Sequence, residues 1–568
     1  VASSLQVSGL QPGSLVPILA GRSLDAVIAI LGVLRAGAAF VPLDPRWPAL
    51  RLDARVALTR PRVVVAARSF ASLPALSGLT VVVPTLDDAE PDPLDFLDQD
   101  VDPASPIYAM LTSGSTGVPR LAVVPHRGIA NRFAWMDEAF GAHPPVTLQT
   151  TATNFDSAVW QILWPLTRGG TAVIPPDEPV LPTSTLLDLV ARHGITILDF
   201  VPSLFDLAID DLLAAGTQLA TLRDVILGGE AIRREPVARF QKAFPRVRVT
   251  NLYGPTEASI GCISHLVDAA AEAEIPIGRP IANVCAVLLD ESGRLTPIGA
   301  VGEIHLGGAA IGLGYHEDDA ATRASFVPNP FPELAAITLY RTGDLGRLRP
   351  DGSILFLGRR DDQLKLRGLR VEPLEIERAL LDHPEVRAAG VLVARSPSAP
   401  DHLLAWIAPS LPADLAAFAR ARLPEALVPS RFLAATSLPR SAAGKLDRRA
   451  LAALVPPAEA PRGAAPASDL ERRIAAIWSD VLGLEACPVD QGFFDLGGHS
   501  LLAVRAHRLL ERELGRAIPL IDLFAHPTIR ALAQQLGGED PPPPPPAPDL
   551  AARSAALQRQ RRRRRGEV

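Results

Sequence analysis

Residues 107–120 read IYAMLTSGSTGVPR. An apolar run, IYAM (107–110), gives way to Leu111-Thr112-Ser113-Gly114-Ser115-Thr116-Gly117. Glycines let backbone N–H groups approach an anion, and hydroxyls add donors, so the loop suits a polyphosphate. It is not a Walker A loop, because no Gly-Lys-Ser/Thr closes it. An ordinary Ser/Thr/Gly loop has the same composition.

On both sides of this loop, apolar runs alternate with helical patterns. The strand-like runs are PRVVVAA (61–67), LTVVVP (79–84), GTAVIP (170–175), ITILDFV (195–201) and LRDVILGG (222–229). Helical periodicity covers Leu24–Arg35 and Thr185–His193. The alternation predicts an α/β fold with doubly wound, mostly parallel sheets. AVLLD (286–290) and GEIHLGG (302–308) have closer turn signals and predict a small antiparallel, barrel-like unit.

Texture changes divide the chain further. Residues 1–360 form the large α/β unit, and the charged stretch from Asp361 opens a small α+β unit over 361–452. VPPAEAPRGAAPASD (455–469) is an extended Pro/Ala/Gly linker, and the linker as a whole is placed at 453–467. The linker's thirteen residues 455–467 would reach at most about 40–47 Å. Residues 468–538 show three amphipathic helical patterns around a Gly-Gly turn, which predicts a helical bundle. Residues 539–568 form a Pro-rich and Arg-rich tail expected to be disordered.

The 568 residues carry a net charge of −6, which argues against a dedicated nucleic-acid binder. Only Cys262, Cys285 and Cys487 are present, so no disulfide framework or cysteine zinc site is expected, in keeping with a reducing cytosol. No apolar run reaches about 18 residues, so no membrane span or membrane partner is expected. The first residues lack the pattern of a signal peptide.

Taken in order, the motifs resemble those of the adenylate-forming superfamily, and more closely a nonribosomal peptide synthetase adenylation domain followed by a peptidyl carrier domain. They are LRAGAAFVPLDP (34–45), TSGSTGVPR (112–120), NFDSAVW (154–160), NLYGPTEAS (251–259), GEIHLGGAAIGLGY (302–315), YRTGDL (340–345), GRRDDQLKLRGLRVEPLEIE (358–377), LPEALVPS (423–430) and AAGKLDR (442–448). The chain opens on Val1 without the family's first motif, so the resemblance implies that roughly fifty residues precede it, judged from domain size.

The resemblance implies a set of roles, each with a physical reason. Thr112, Ser113, Gly114, Ser115, Thr116 and Gly117 would hold ATP phosphates. Tyr253 would stack on adenine, with Asn251 and the Gly228-Gly229 backbone along the base edge. Thr256 would bond the α-phosphate and Glu257 would hold Mg²⁺ beside the phosphates. Asp344 would accept from both ribose hydroxyls, with Arg359 as a second ribose contact. Lys445 would offset repulsion between the substrate carboxylate and the α-phosphate. Asp361 would be a hinge, and rotation there would bring Lys365, Arg367 and Gly368 to the active site for thioester formation.

By the same transfer, the substrate pocket comprises Asp156, Ser157, Trp160, Asp199, Ile226, Gly228, Leu252, Ile260, Gly261 and Lys445. Asp156 would pair with an α-ammonium. A second carboxylate, Asp199, is costly in an apolar pocket unless a partner neutralises it. It predicts a side chain that donates hydrogen bonds, either a cationic one such as arginine or a small hydroxyl or amide. Alternatively, Asp199 pairs with a neighbouring protein donor.

DQGFFDLGGHSLLAVRAHRLL (490–510) resembles the carrier signature, which implies 4′-phosphopantetheine on Ser500 at the start of the helix Leu501–Glu513. The expected partners are an amino acid, a phosphopantetheinyl transferase, neighbouring condensation or release modules, and a small activating accessory protein. The expected location is the cytoplasm. Arg120, Leu313, Ala426 and Ala443 depart from residues usual in the family. An acyl-CoA ligase and a catalytically silent scaffold remain as alternatives.

Overall fold

The computed structural model describes residues 1–537 except 85–99, 113–118, 142, 179–180, 335, 361–363, 367–368, 397–398, 441–445, 455–462, 495, 497, 499, 517 and 520. Its large unit contains two seven-stranded sheets. In the first, Leu15–Leu19, Ala39–Leu43, Val63–Ala66, Thr80–Val82 and Pro106–Thr112 run parallel, and Arg120–Pro125 and Gly314–Tyr315 add an antiparallel edge. In the second, Val146–Leu148, Thr171–Val173, Ile197–Phe200, Asp224–Gly228 and Arg248–Tyr253 are parallel, with Ile263–Leu266 and Arg279–Pro280 antiparallel at one edge.

The strands form where the sequence is continuously apolar. Val63–Ala66 is buried throughout, as expected of a strand covered on both faces. Between strands, helix Leu24–Arg35 is capped by Ser23, whose side chain accepts from the Ala26 amide at 3.3 Å. One apolar cluster joins the sheets: Phe40 and Tyr108 of the first pack with Trp160, Trp164, Ile226 and Leu252. Val284–Leu289, Val301–Gly308, Phe326–Pro328, Thr338–Leu348 and Ile354–Arg359 form the antiparallel unit expected from the closer turns.

The small unit combines the ribbon Leu364–Leu366/Leu369–Val371, helix Pro373–Leu381 and a three-stranded sheet of Ala388–Ser396, Ala399–Ala408 and Arg431–Ala434. Ile376, Leu380, Val391 and Ile407 are wholly buried there. Its helix reaches back to the large unit: Glu375 binds Arg51 and Arg55 of helix Ala49–Leu58.

The carrier region contains four helices among the described residues, Asp469–Leu482, Ser500–Leu514, Ile521–Ala525 and Ile529–Gly537. They enclose Trp478, Phe493, Ala506, Leu510 and Leu532. A reciprocal Ser468–Glu471 capping box starts the first. The end of the linker belongs to this bundle: the Ala464 amide donates to Asp490 at 3.2 Å, and its carbonyl accepts from the Val489 amide at 2.9 Å.

Candidate active site

The parallel strands of the second sheet carry their functional residues at their carboxyl ends, where ligands of such sheets bind. Register aligns Ile226 with Asp199 on one side and Thr250 on the other, and Gly228 with Leu252. A cavity opens there. Its lining includes Thr112, Asp156, Ser157, Asp199, Ile226, Gly228, Gly229, Leu252, Tyr253, Thr256, Ile260, Gly261, Asp344 and Arg359. Residues separated by up to 247 positions in the sequence thus share one space.

Asp156 stands at the N-terminus of helix Ser157–Thr167, where the helix dipole favours an anion. Its Oδ2 accepts from the Thr256 hydroxyl at 2.7 Å. Burial raises the pKa of Asp156, and the Thr256 bond works against that shift. An uncompensated carboxylate in this position favours a cationic partner.

Asp199 has a protein donor, the last of the alternatives open from sequence. Gln161 Nε2 donates to its Oδ2 at 2.8 Å. Burial pushes Asp199 up to about 7, against the opposing effects of Gln161 and Arg132. Arg132 is 1 % exposed, and its Nη1 donates to the Gly261 carbonyl. Burial lowers its pKa to about 10, while the negative charge of Asp199 opposes that change. Sequence transfer included neither Gln161 nor Arg132. A polar residue inside the apolar run AVWQILW (158–164) was the available signal for Gln161.

Tight backbone shapes the remaining wall. A Cβ on Gly261 would overlap the Leu252 side chain, and one on Gly228 would stand 2.9 Å from the Leu252 carbonyl oxygen. Between them, Ile260 has φ 76, an outlier for a β-branched residue and a source of strain of about 1–3 kcal/mol. It is held beside Ser259, whose hydroxyl donates to the Ala310 carbonyl at 2.6 Å.

Also in the cavity lining, Asp344 accepts from the Tyr253 hydroxyl and from Arg359 Nη1, each at 2.5 Å. A carboxylate offers about four lone-pair directions, so two remain for a diol. Glu257 is 1 % exposed and accepts from the Tyr315 hydroxyl at 2.9 Å. Arg120 pairs with Asp318 at 3.1 Å and lies over the Tyr315 ring.

Not every transferred residue lines the cavity. Trp160 is buried against Trp164 in the core. Asn251 donates to the Pro276 carbonyl at 2.8 Å. Glu257 is buried and is not among the lining residues. Ser113–Gly117, Asp361, Arg367, Gly368, Ala443 and Lys445 lie outside the described residues, as do the side chains of Lys365 and Ser500. Ala426 lies on the rim formed by the small unit.

Family comparison agrees with this geometry. Residues 1–316 match the family model described as "AMP-binding enzyme", and residues 472–536 match "Phosphopantetheine attachment site". Tyrocidine synthase 3 of Brevibacillus parabrevis is 36% identical over 94% of this chain, which covers 8% of that protein. Phosphinothricin tripeptide synthetase PhsB of Streptomyces viridochromogenes is 37% identical over 94% of the chain and 46% of its own length. The chain therefore spans less than half of either relative. A solved structure, holo-PA1221, described as an NRPS protein containing adenylation and PCP domains bound to vinylsulfonamide inhibitor, superposes with TM-score 0.80 at 28% identity. The match covers 94% of this chain and 90% of that one. The chain belongs to the AMP-binding enzymes, carries a phosphopantetheine attachment region after its adenylate-forming part, and is similar to adenylation–carrier modules of nonribosomal peptide synthetases.

Proposed function

We propose that this chain activates an α-amino acid with Mg·ATP and delivers it to its own carrier domain. The observation that carries the proposal is the shared cavity, whose lining includes both Asp156 and the Tyr253–Asp344–Arg359 cluster. In the first step a substrate carboxylate oxygen attacks the α-phosphorus, the bond to pyrophosphate breaks, and an aminoacyl adenylate forms. Asp156 holds the α-ammonium, and Thr256, with Thr112 and residues 113–117, binds phosphate oxygens. Tyr253, Asn251, Gly228 and Gly229 frame the base, Asp344 and Arg359 hold the ribose, and Lys445 offsets the negative charge.

Mg²⁺ would accompany the ATP phosphates, but Glu257, buried, bonded to the Tyr315 hydroxyl and absent from the cavity lining, does not fit as its ligand in this arrangement. The carrier residues fit their prosthetic group. A Cβ on Gly498 would overlap Phe493, so the position two residues before the helix that begins at Ser500 needs glycine. Attached to Ser500, 4′-phosphopantetheine would supply a thiol to take the aminoacyl group from the adenylate, with AMP as leaving group. Rotation at Asp361 brings Lys365, Arg367 and Gly368 to that second step. The proposed divisions are 1–360, 361–452, 453–467, 468–538 and 539–568, with the linker from Ala464 onward held against the carrier bundle.

For the substrate side chain, the structure favours a neutral hydrogen-bond donor, a hydroxyl or amide, over an arginine-like cation. Gln161 already occupies one Asp199 oxygen, and the buried Arg132 charge lies close by. The wider setting is cytoplasmic. A phosphopantetheinyl transferase, flanking modules and an accessory protein are the proposed partners. Among the described residues, no helix is long and apolar enough to cross a membrane.

Amino-acid-dependent pyrophosphate–ATP exchange, screened over the standard amino acids and arginine-like derivatives, tests the first step. Exchange is expected with a small hydroxyl or amide amino acid. No exchange with any amino acid would favour the scaffold alternative, and exchange dependent on a simple fatty or aryl acid would favour an acyl-CoA ligase. Ser500→Ala is expected to abolish the aminoacyl mass increment on the carrier while exchange persists.

A further inference from the structure

The carrier touches the large unit through a pair of helices with opposite charge. On carrier helix Ser500–Leu514, Arg505, Arg508 and Arg512 recur at spacings of three and four, which puts them on one face. Helix Pro202–Ala214 of the large unit bears Asp206, Asp210 and Asp211. Arg508 forms an ion pair with Asp211, and its Nη1 donates to the Leu207 carbonyl at 3.1 Å. Arg512 adds attraction to Asp211. Asp206 and Asp210 pair with Arg233 and Arg239 of the large unit. The cation paired with Asp211 comes from the carrier. Arg508 thus engages both a side chain and a main-chain group of the partner helix, which fixes position as well as charge.

We propose that helix Pro202–Ala214 is a docking surface that selects carrier domains with a basic face at the positions of Arg508 and Arg512, so that this adenylation unit loads its own carrier in preference to carriers that are acidic there. The proposal rests on the transfer step described under Proposed function. Attraction across this contact speeds encounter and fixes register, whereas like charges at the same place reject the wrong partner. Because the pair is partly exposed, salt weakens it.

A charge swap in the full chain tests the proposal. Arg508→Asp, Asp211→Arg and the double variant are compared with the parent by small-angle X-ray scattering, which needs no substrate. The phosphopantetheinylated forms are also supplied with ATP and a mixture of the twenty standard amino acids, and carrier loading is read by intact mass. Each single reversal is expected to raise the radius of gyration and slow loading about tenfold. The double variant is expected to recover most of both losses. Thermal unfolding distinguishes loss of docking from loss of fold. Single reversals that leave scattering unchanged, or a double variant no better than either single, would overturn the proposal. A parent chain that is never loaded, despite a scattering response to the swap, would count against the transfer step and leave the docking surface supported.

Discussion

Glu375 Oε1 accepts from Arg51 Nη1 at 2.8 Å and from Arg55 Nη2 at 3.3 Å, which ties the small unit to the large one through a single carboxylate. All three side chains are mostly buried. Burial, followed by repulsion from Arg51, lowers Arg55 to about 10, so the two guanidinium groups depend on Glu375 in this orientation. Glu375→Gln leaves two cations facing a neutral amide. Removing one member of a buried pair costs up to about 3–5 kcal/mol, and the residual exposure here reduces that to about 1–3. Carrier loading should slow about tenfold or more while pyrophosphate exchange is retained. Equal loss of both activities would show that Glu375 does not act on domain orientation.

Asp156→Asn removes the charge proposed to hold the α-ammonium but keeps the shape and the Thr256 bond partner. Loss of one side of a buried charge pair costs about 2–5 kcal/mol. Exchange should fall about a hundredfold or more, mainly through KM for the amino acid, with KM for ATP little changed. Steady-state exchange with each substrate varied in turn checks the split.

Asp199 titrates near 7 in the fold against an ordinary 3.8. The folded chain therefore binds more protons than the unfolded chain between about pH 4 and 7. Stability from this group is present below that window and is lost as pH rises through it, by at most about 4 kcal/mol at 1.36 kcal/mol per unit. Asp199→Asn should flatten denaturant midpoints across the same window. An unchanged slope would place the titration elsewhere.

Gly261→Ala inserts a methyl group where the Leu252 side chain already lies. The amino-acid site should shrink, raising KM for the amino acid about tenfold with a smaller effect on ATP, consistent with the cost of overpacking. Gly293→Ala, at a glycine with nothing near its Cβ position, serves as the comparison, although its φ of 78 carries its own strain.

Much of this architecture was legible because buried parallel strands must be apolar along their whole length, as VVVA (63–66) is. Asp156 and Asp199 came from the resemblance, and the expense of a second carboxylate in an apolar pocket drew the further reading of Asp199. Trp160, one helical turn from Asp156, is buried in the cluster that also holds Ile226, Leu252 and Ile260, a placement that spacing alone does not give. Gln161 and Arg132 went unread because their value depends on what faces them across the fold. The same holds for Glu375 and Arg51, which are 324 positions apart. Pairing over such distances leaves no periodic trace, and an exposed arginine and a buried one look alike in a string of letters.

The stitching of Ala464 to Val489 and Asp490 shortens the leash, the length of chain on which the carrier would travel under the proposed function. From Leu454 to Ala464 are ten steps of chain, which fully extended reach at most about 33–36 Å. A neighbouring catalytic station farther away than that cannot be visited by swinging on the leash alone. On the proposed function, the base from which it hangs would have to pivot too, and the timing of delivery would be geared to the same motion that ends activation.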